Sequence, residues 1–181
     1  MLKNAITEIA AKPETFTGYC FRCVSPRYSH QDDIFSGKGS RHTSGRYHRM
    51  FAFSIVYTAC SPELALWEST NTARSGGIQV AKLLPMVLVG AEVNMSVVLN
   101  LTDATVRRTL KVTKRSIVDC SWSTATNETL TQLIGRIAFE CGFEAILAPS
   151  AGPGINLNII RDNIRPTSRL IILNPDKLPR P

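Results

Sequence analysis

No window of the 181 residues reaches the roughly 18 consecutive apolar residues of a membrane-spanning helix, and none is expected. The opening stretch, MLKNAITEIAAKPETF, lacks both an unbroken apolar segment and a small-residue cleavage site, so no secretory signal is expected either. Repeats, low-complexity tracts and long linkers are missing. One domain over residues 1–181 is then the simplest organisation. Charge is modest, at 19% of residues against 44% hydrophobic, which suits a globular chain with a real core.

Motifs of fixed spacing are equally scarce. There is no H-E-x-x-H, Walker A loop, G-x-S-x-G or G-x-G-x-x-G. The stretch SGKGS, Ser36 to Ser40, lacks the upstream glycine and the Lys-Ser/Thr ending of a phosphate loop. His30, His42 and His48 share one polar stretch at spacings that suit no metal site on a helix, and they are expected at the surface. The five cysteines stand at 20, 23, 60, 120 and 141, with one C-x-x-C whose apolar flanks do not suit a zinc knuckle. We expect no metal, and buried free thiols in a reducing cytoplasm. Asn100 and Asn127 head sequons that such a compartment leaves unmodified.

What the chain has in excess is positive charge, +7 from 21 Lys and Arg against 14 Asp and Glu. Arg107, Arg108, Lys111, Lys114 and Arg115 form one basic group. Arg161, Arg165, Arg169, Lys177 and Arg180 form another. Neither interleaves aromatics and no helix-turn-helix or zinc-finger spacing is visible. A solvated surface is the plain reading, an acidic protein partner the next, and nucleic acid the last.

The coarse pattern is α+β: a mixed sheet flanked by helices that interrupt the strands without βαβ alternation. Residues 2–11 suit an amphipathic helix stopped by Pro13. GYCFRCV and FSIVYTA read as strands around a long polar connection, Ser25 to Arg49. Ser61-Pro62-Glu63 is a helix start, with serine as N-cap and proline at the first helical position. Gly76-Gly77 should stop that helix. PMVLVGAEV and NMSVVLNL suggest two strands, with a short helix after Asp103. Thr126 or Asn127 is expected to cap a helix through Glu140, with Gly142 at its C-terminal end. FEAILA, GINLNII and SRLIILN supply three late strands.

One group of residues invites chemistry: Arg46 in the polar connection, Tyr57 at a strand end and Glu68 on a helix beside Trp67. A carboxylate in an apolar run must be solvated, paired or functional. Spacing alone leaves open a structural Arg46–Glu68 pair and a site. Tyr57 could equally be core with its hydroxyl bonded, and Ser150, in ILAPSAGPG, a turn residue.

The order of FRCVSPRY, SGKGSRHTSGRYH, SIVYTACSPELALWE, LPMVLVGAEV and AILAPSAGPGINLNII resembles the RES domain, over about residues 19–175. Its most specific part is a Gly-Arg-aromatic loop followed by Val-Tyr and Ala-Leu-x-Glu, here Gly45-Arg46-Tyr47, Val56-Tyr57 and Ala65-Leu66-Trp67-Glu68. The family's serine maps onto Ser150 and its early arginine onto Arg22. Tyr47 stands where the family commonly has tryptophan, and residues 102–125 match little beyond Trp122.

The resemblance implies an ADP-ribosyltransferase-like fold, NAD⁺ as substrate, and the toxin half of a pair with an Xre-type antitoxin of acidic surface. A homo-oligomer or an assembly with that antitoxin is expected, with no membrane and no direct nucleic-acid contact. By this resemblance Glu68, Arg46 and Tyr57 are catalytic. Arg22, Arg46, Tyr47, Tyr57, Ser150 and Asn156 hold the dinucleotide. The acceptor stays open between water, phosphate and a target protein. An idle scaffold that only binds a partner is the non-enzyme alternative.

Overall fold

The computed structural model describes residues 1–75 and 77–178. Gly76 and Arg180, part of the expected helix stop and of the second basic group, lie outside the described residues. The helices are α1 (Leu2–Ala10), α2 (Gln31–Ile34), α3 (Pro62–Ser75), α4 (Ala104–Thr109), α5 (Lys114–Val118) and α6 (Leu130–Glu140). The strands are β1 (Glu14–Val24), β2 (Ile55–Ala59), β3 (Val87–Asn100), β4 (Ala145–Pro149), β5 (Ile155–Ile160) and β6 (Arg169–Ile172).

The strands follow the order β1-β2-β5-β4-β3, and β1 pairs again with β3, so five strands close into a ring. Closure removes the exposed edges of an open sheet. Only β4 runs parallel to its neighbour β3; the other pairings are antiparallel. β6 lies beside the first half of β3, opposite Ala91–Asn94. The α+β class expected from sequence is what is found, with a mixed sheet that closes as a barrel.

Alternation sorts the side chains into two cores. Cys20, Val56, Val89, Ala91, Val93, Met95, Ala145, Leu157 and Ile159 meet inside the ring, with Ile34 and Phe35 packed against them. The other faces of β2, β3, β4 and β5 carry Ile55, Leu99, Ile146, Ala148 and Ile160, on which α1, α5 and α6 lay Ile6, Ile117, Ile134 and Ile137. A smaller cluster, Ala59, Leu64 and Ala65 with Phe21, Cys23 and Trp67, seats α3 on β1 and β2.

Where two strands were expected, β3 runs unbroken, because Asn94 keeps its place in the ladder opposite Thr17 and Arg169. The irregularity falls two residues later. Glu14 faces Val98 but Phe16 faces Met95, one extra residue in β3 and therefore a β-bulge. Buried Glu144 accepts from the N–H groups of Ser96 at 2.8 Å and Val97 at 2.9 Å through Oε2, and from that of Arg165 at 2.8 Å through Oε1. The bulge thus leaves no orphan donor, and it moves β3 from β6 to β4.

Other boundaries differ for local reasons. The Ser25–Arg49 connection is ordered into helical turns at Pro26–Tyr28, Gln31–Ile34 and Lys38–His42. α6 begins at Leu130, not after Thr126 or Asn127, because Thr129 and Gln132 form a reciprocal capping box. Thr113 and Ser116 make a second such box that opens the unexpected α5. Ser61 caps α3 as expected, accepting from the N–H of Leu64 at 3.2 Å. All five cysteines are free, but only Cys20 is buried, a correction to the expectation that all would be.

Candidate active site

Glu68 lies on the face of α3 that looks back at the ends of β4 and β5. Its Oε1 accepts a very short hydrogen bond from Ser150 Oγ and one from Asn156 Nδ2 at 2.8 Å. These partners are 82 and 88 residues away in sequence, and the sheet brings them in. Ser150 follows β4; Asn156 is in β5, opposite Ala148 of β4 and Ala59 of β2. The turn between them is pressed onto α3. Gly152 donates to Ser150 Oγ at 2.9 Å, and a Cβ at residue 152 would sit 2.6 Å from Trp67 Cε3. Only glycine allows the turn so close to the helix.

Tyr57 is one rung along the same sheet face, opposite Asn158. Its hydroxyl accepts from the N–H of Tyr47 at 2.9 Å and meets His48 Nδ1 at 2.9 Å. Burial raises the pKa of this phenol, so it stays protonated. Tyr57 therefore supports the loop that carries Arg46 from beneath.

Arg46 is fixed from several sides. Gly45 N donates to His48 O at 2.9 Å, and Gln132 Nε2 donates to Gly45 O at 3.1 Å. The Arg46 guanidinium turns one nitrogen, Nη1, onto the carbonyls of Ile117 at 2.6 Å and Val118 at 3.0 Å, at the end of α5. Its Nε and Nη2 make no hydrogen bond to any described residue. No ion pair joins Arg46 to Glu68, which removes the structural-pair reading.

Three expectations change here. Arg22 shares the inner strand face of Cys20, and its guanidinium makes a very short hydrogen bond to the carbonyl of Ile34. α3 sits instead over Phe21 and Cys23, so Arg22 is not gathered with Glu68. Tyr47 is 1% exposed within the outer core, with no hydrogen-bond partner for its hydroxyl, and so does not line a surface for a dinucleotide. His48, expected at the surface, is 2% exposed. Its Nε2 lies 2.8 Å from Ser40 O.

His48 and Gln132, which hold the Arg46 loop by hydrogen bonds, are the residues beside the site that sequence reasoning missed. Histidine directly after the Gly-Arg-aromatic triplet was the available signal for the first. Gln132 gave none beyond its place three residues after the capping Thr129. Among the described residues no group of three or more His, Cys, Asp or Glu side chains is placed to hold a metal ion. The 540 Å³ cavity lined by Phe35, Arg161, Leu170 and Ile172 is a separate feature, bounded by α2 and β6 rather than by Glu68 or Arg46.

Seven chains of known structure match this one. A chain in the crystal structure of the M. tuberculosis MbcT–MbcA toxin–antitoxin complex has a TM-score of 0.71 and 22% sequence identity. The match covers 97% of this chain and 96% of that one, and at this identity it bears on the fold alone. No curated protein sequence matches. The RES domain family model matches residues 19–178, which include Arg46, Tyr57, Glu68, Ser150 and Asn156; the chain belongs to the RES domain family.

Proposed function

We propose that this chain cleaves the bond between nicotinamide and ribose in NAD⁺, and that it does so as the toxin half of a cytoplasmic toxin–antitoxin pair. One observation carries the reading. Ser150 and Asn156 converge on a single carboxylate oxygen of Glu68, on the sheet face that also bears Tyr57.

The chemistry asks for little else. Nicotinamide leaves as a neutral base, taking the electron pair of the C1′–N bond, so no strong general acid is needed. Positive charge grows on C1′ as that bond lengthens. A carboxylate held in place beforehand stabilises that charge more than the ground state, which is the condition for acceleration. Two donors on one oxygen hold the Glu68 carboxylate in such a fixed orientation. The uncommitted Nε and Nη2 of Arg46 form a planar pair suited to the oxygens of a diphosphate. Asn156 Oδ1, buried without a partner, suits a hydroxyl or amide donor of the same ligand. Tyr57 fixes the loop that presents Arg46.

The complex in which the structural relative was solved supports a protein partner for this chain too. An antitoxin covering the Ser40–His48 loop would deny NAD⁺ access to Arg46, and the net charge of +7 favours an acidic surface on it. Incubating the purified chain with NAD⁺, with and without inorganic phosphate, and separating the products tests the reading. Nicotinamide is expected in both arms. Free ADP-ribose, its 1″-phosphate or a mass gain on a protein then names the acceptor. No release of nicotinamide in either arm would overturn the proposal.

A further inference from the structure

The hydrogen bonds under Arg46 have only one self-consistent direction. Ser40 O can only accept, so His48 Nε2 carries the proton and donates to it at 2.8 Å. Nδ1 is then a bare acceptor and takes the Tyr57 O–H at 2.9 Å. The Tyr57 oxygen in turn accepts the N–H of Tyr47 at 2.9 Å. A neutral imidazole and a protonated phenol thus line up the backbone on either side of Arg46. The fit is tight: a Cβ on Gly45 would lie 2.5 Å from Tyr57 Oη and 2.7 Å from His48 Cε1.

We propose that His48 is a positioning residue of the NAD⁺-cleaving site. Neutral, it orients the Tyr57 hydroxyl, and Tyr57 fixes the Gly45–Tyr47 turn that presents Arg46. This rests on the function proposed above. Protonating Nδ1 turns an acceptor into a donor aimed at an oxygen that already accepts from Tyr47. The oxygen can accept both, but the Tyr57 proton must swing away from Nδ1 and lose its acceptor in a buried site, which strains the contact that holds the turn. Cleavage therefore fades at acid pH as His48 gains its proton.

The groups against the ring are few. β2 presents the Tyr57 hydroxyl, the loop itself presents the carbonyls of Ser40 and Thr43, and Phe53 packs beside the ring, while Gln132 of α6 reaches only the His48 backbone carbonyl. Burial holds the imidazole below its ordinary pKa of 6.5, against the opposing pull of the Ser40 and Thr43 carbonyls. The neutral form is accordingly the one present at neutral pH.

The test combines imidazole ¹⁵N NMR of the full chain with nicotinamide release from pH 5 to 8 by the wild type, His48→Asn and His48→Ala. The NMR is expected to show the Nε2–H tautomer at pH 7, titrating at the midpoint of the wild-type acid limb. Asparagine can accept from Tyr57 but does not titrate, so His48→Asn keeps kcat/KM within about tenfold and loses the acid limb. His48→Ala loses about 100-fold in kcat/KM through misplacement of Arg46. An Nδ1–H tautomer, an unchanged acid limb in His48→Asn, or wild-type kcat/KM in folded His48→Ala would each overturn the proposal. If His48→Ala does not fold, the asparagine variant and the NMR decide. Absence of nicotinamide release by the wild type at every pH would instead sink the NAD⁺ reading itself.

Discussion

Glu68 and Glu144 are both carboxylates drawn into the protein, and they are held in opposite ways. Glu144 is 0% exposed and saturated: three backbone N–H groups and the Ser96 hydroxyl fill both its oxygens. Burial pushes its pKa up, but the hydrogen bonds from Ser168, Arg165 and Ser96 outweigh burial and hold it below the ordinary carboxylate value. Glu68 is only half-buried, and side chains on two other elements, Ser150 and Asn156, grip one of its oxygens. A carboxylate spent on backbone donors closes a bulge in a strand. One oriented by side chains from two other elements sits where the proposed cleavage would take place.

Moving the machinery beside Glu68 should cost activity, and touching Glu144 should cost stability. With Glu68 itself left in place, the largest expected effect is Gly152→Ala. Its methyl collides with Trp67 and Leu64, lifts Ser150 away from Glu68, and lowers kcat/KM for NAD⁺ about 100-fold in steady-state assays. Glu144→Gln comes next. It should lower unfolding stability in urea by about 1.5–3 kcal/mol while leaving kcat/KM near the wild-type value below the melting transition. Loss of activity at unchanged stability would collapse the distinction between the two carboxylates. Ser150→Ala removes a donor to Glu68 Oε1 and should reduce kcat about tenfold, with the melting temperature little changed.

The smallest effect concerns pH. The folded Glu144 carboxyl titrates below the unfolded one, so its stabilisation is complete at neutral pH. It drains away as pH falls below the ordinary value of 4.5 and through the folded value. Glu144→Gln should flatten that acid slope in urea titrations.

Local chemistry made much of this legible from sequence. Ser61-Pro62-Glu63 started α3 where expected, Asp103 capped α4, and Gly142, with φ of 77°, ended α6. The loop Gly45-Arg46-Tyr47 and the helix bearing Glu68 stood out through the resemblance to the RES domain, where spacing alone left a structural pair and a site open. What escaped were contacts that span the chain. Nothing near residue 144 announces that it closes a bulge at 96–97, 47 residues away in the case of Val97. Closure of the ring needs β1 to pair with both β2 and β3, a tertiary choice that alternation along one strand does not encode. His48 was misjudged because the stretch around it is polar, yet the tyrosine nine residues on and the carbonyl eight residues back bury and satisfy it. Strand parity sets Arg22 apart from Glu68, since it shares the face of Cys20 rather than that of Phe21.

The central claim is that the Glu68 carboxylate stabilises the sugar cation formed as nicotinamide departs. Its most direct test is the rate of nicotinamide release by Glu68→Gln against the wild type, at saturating NAD⁺ and with matched circular dichroism and melting temperature. Glutamine keeps the shape of the side chain and removes its charge. The account predicts a fall in kcat of about 100- to 1,000-fold. A folded Glu68→Gln that releases nicotinamide at the wild-type rate would contradict it.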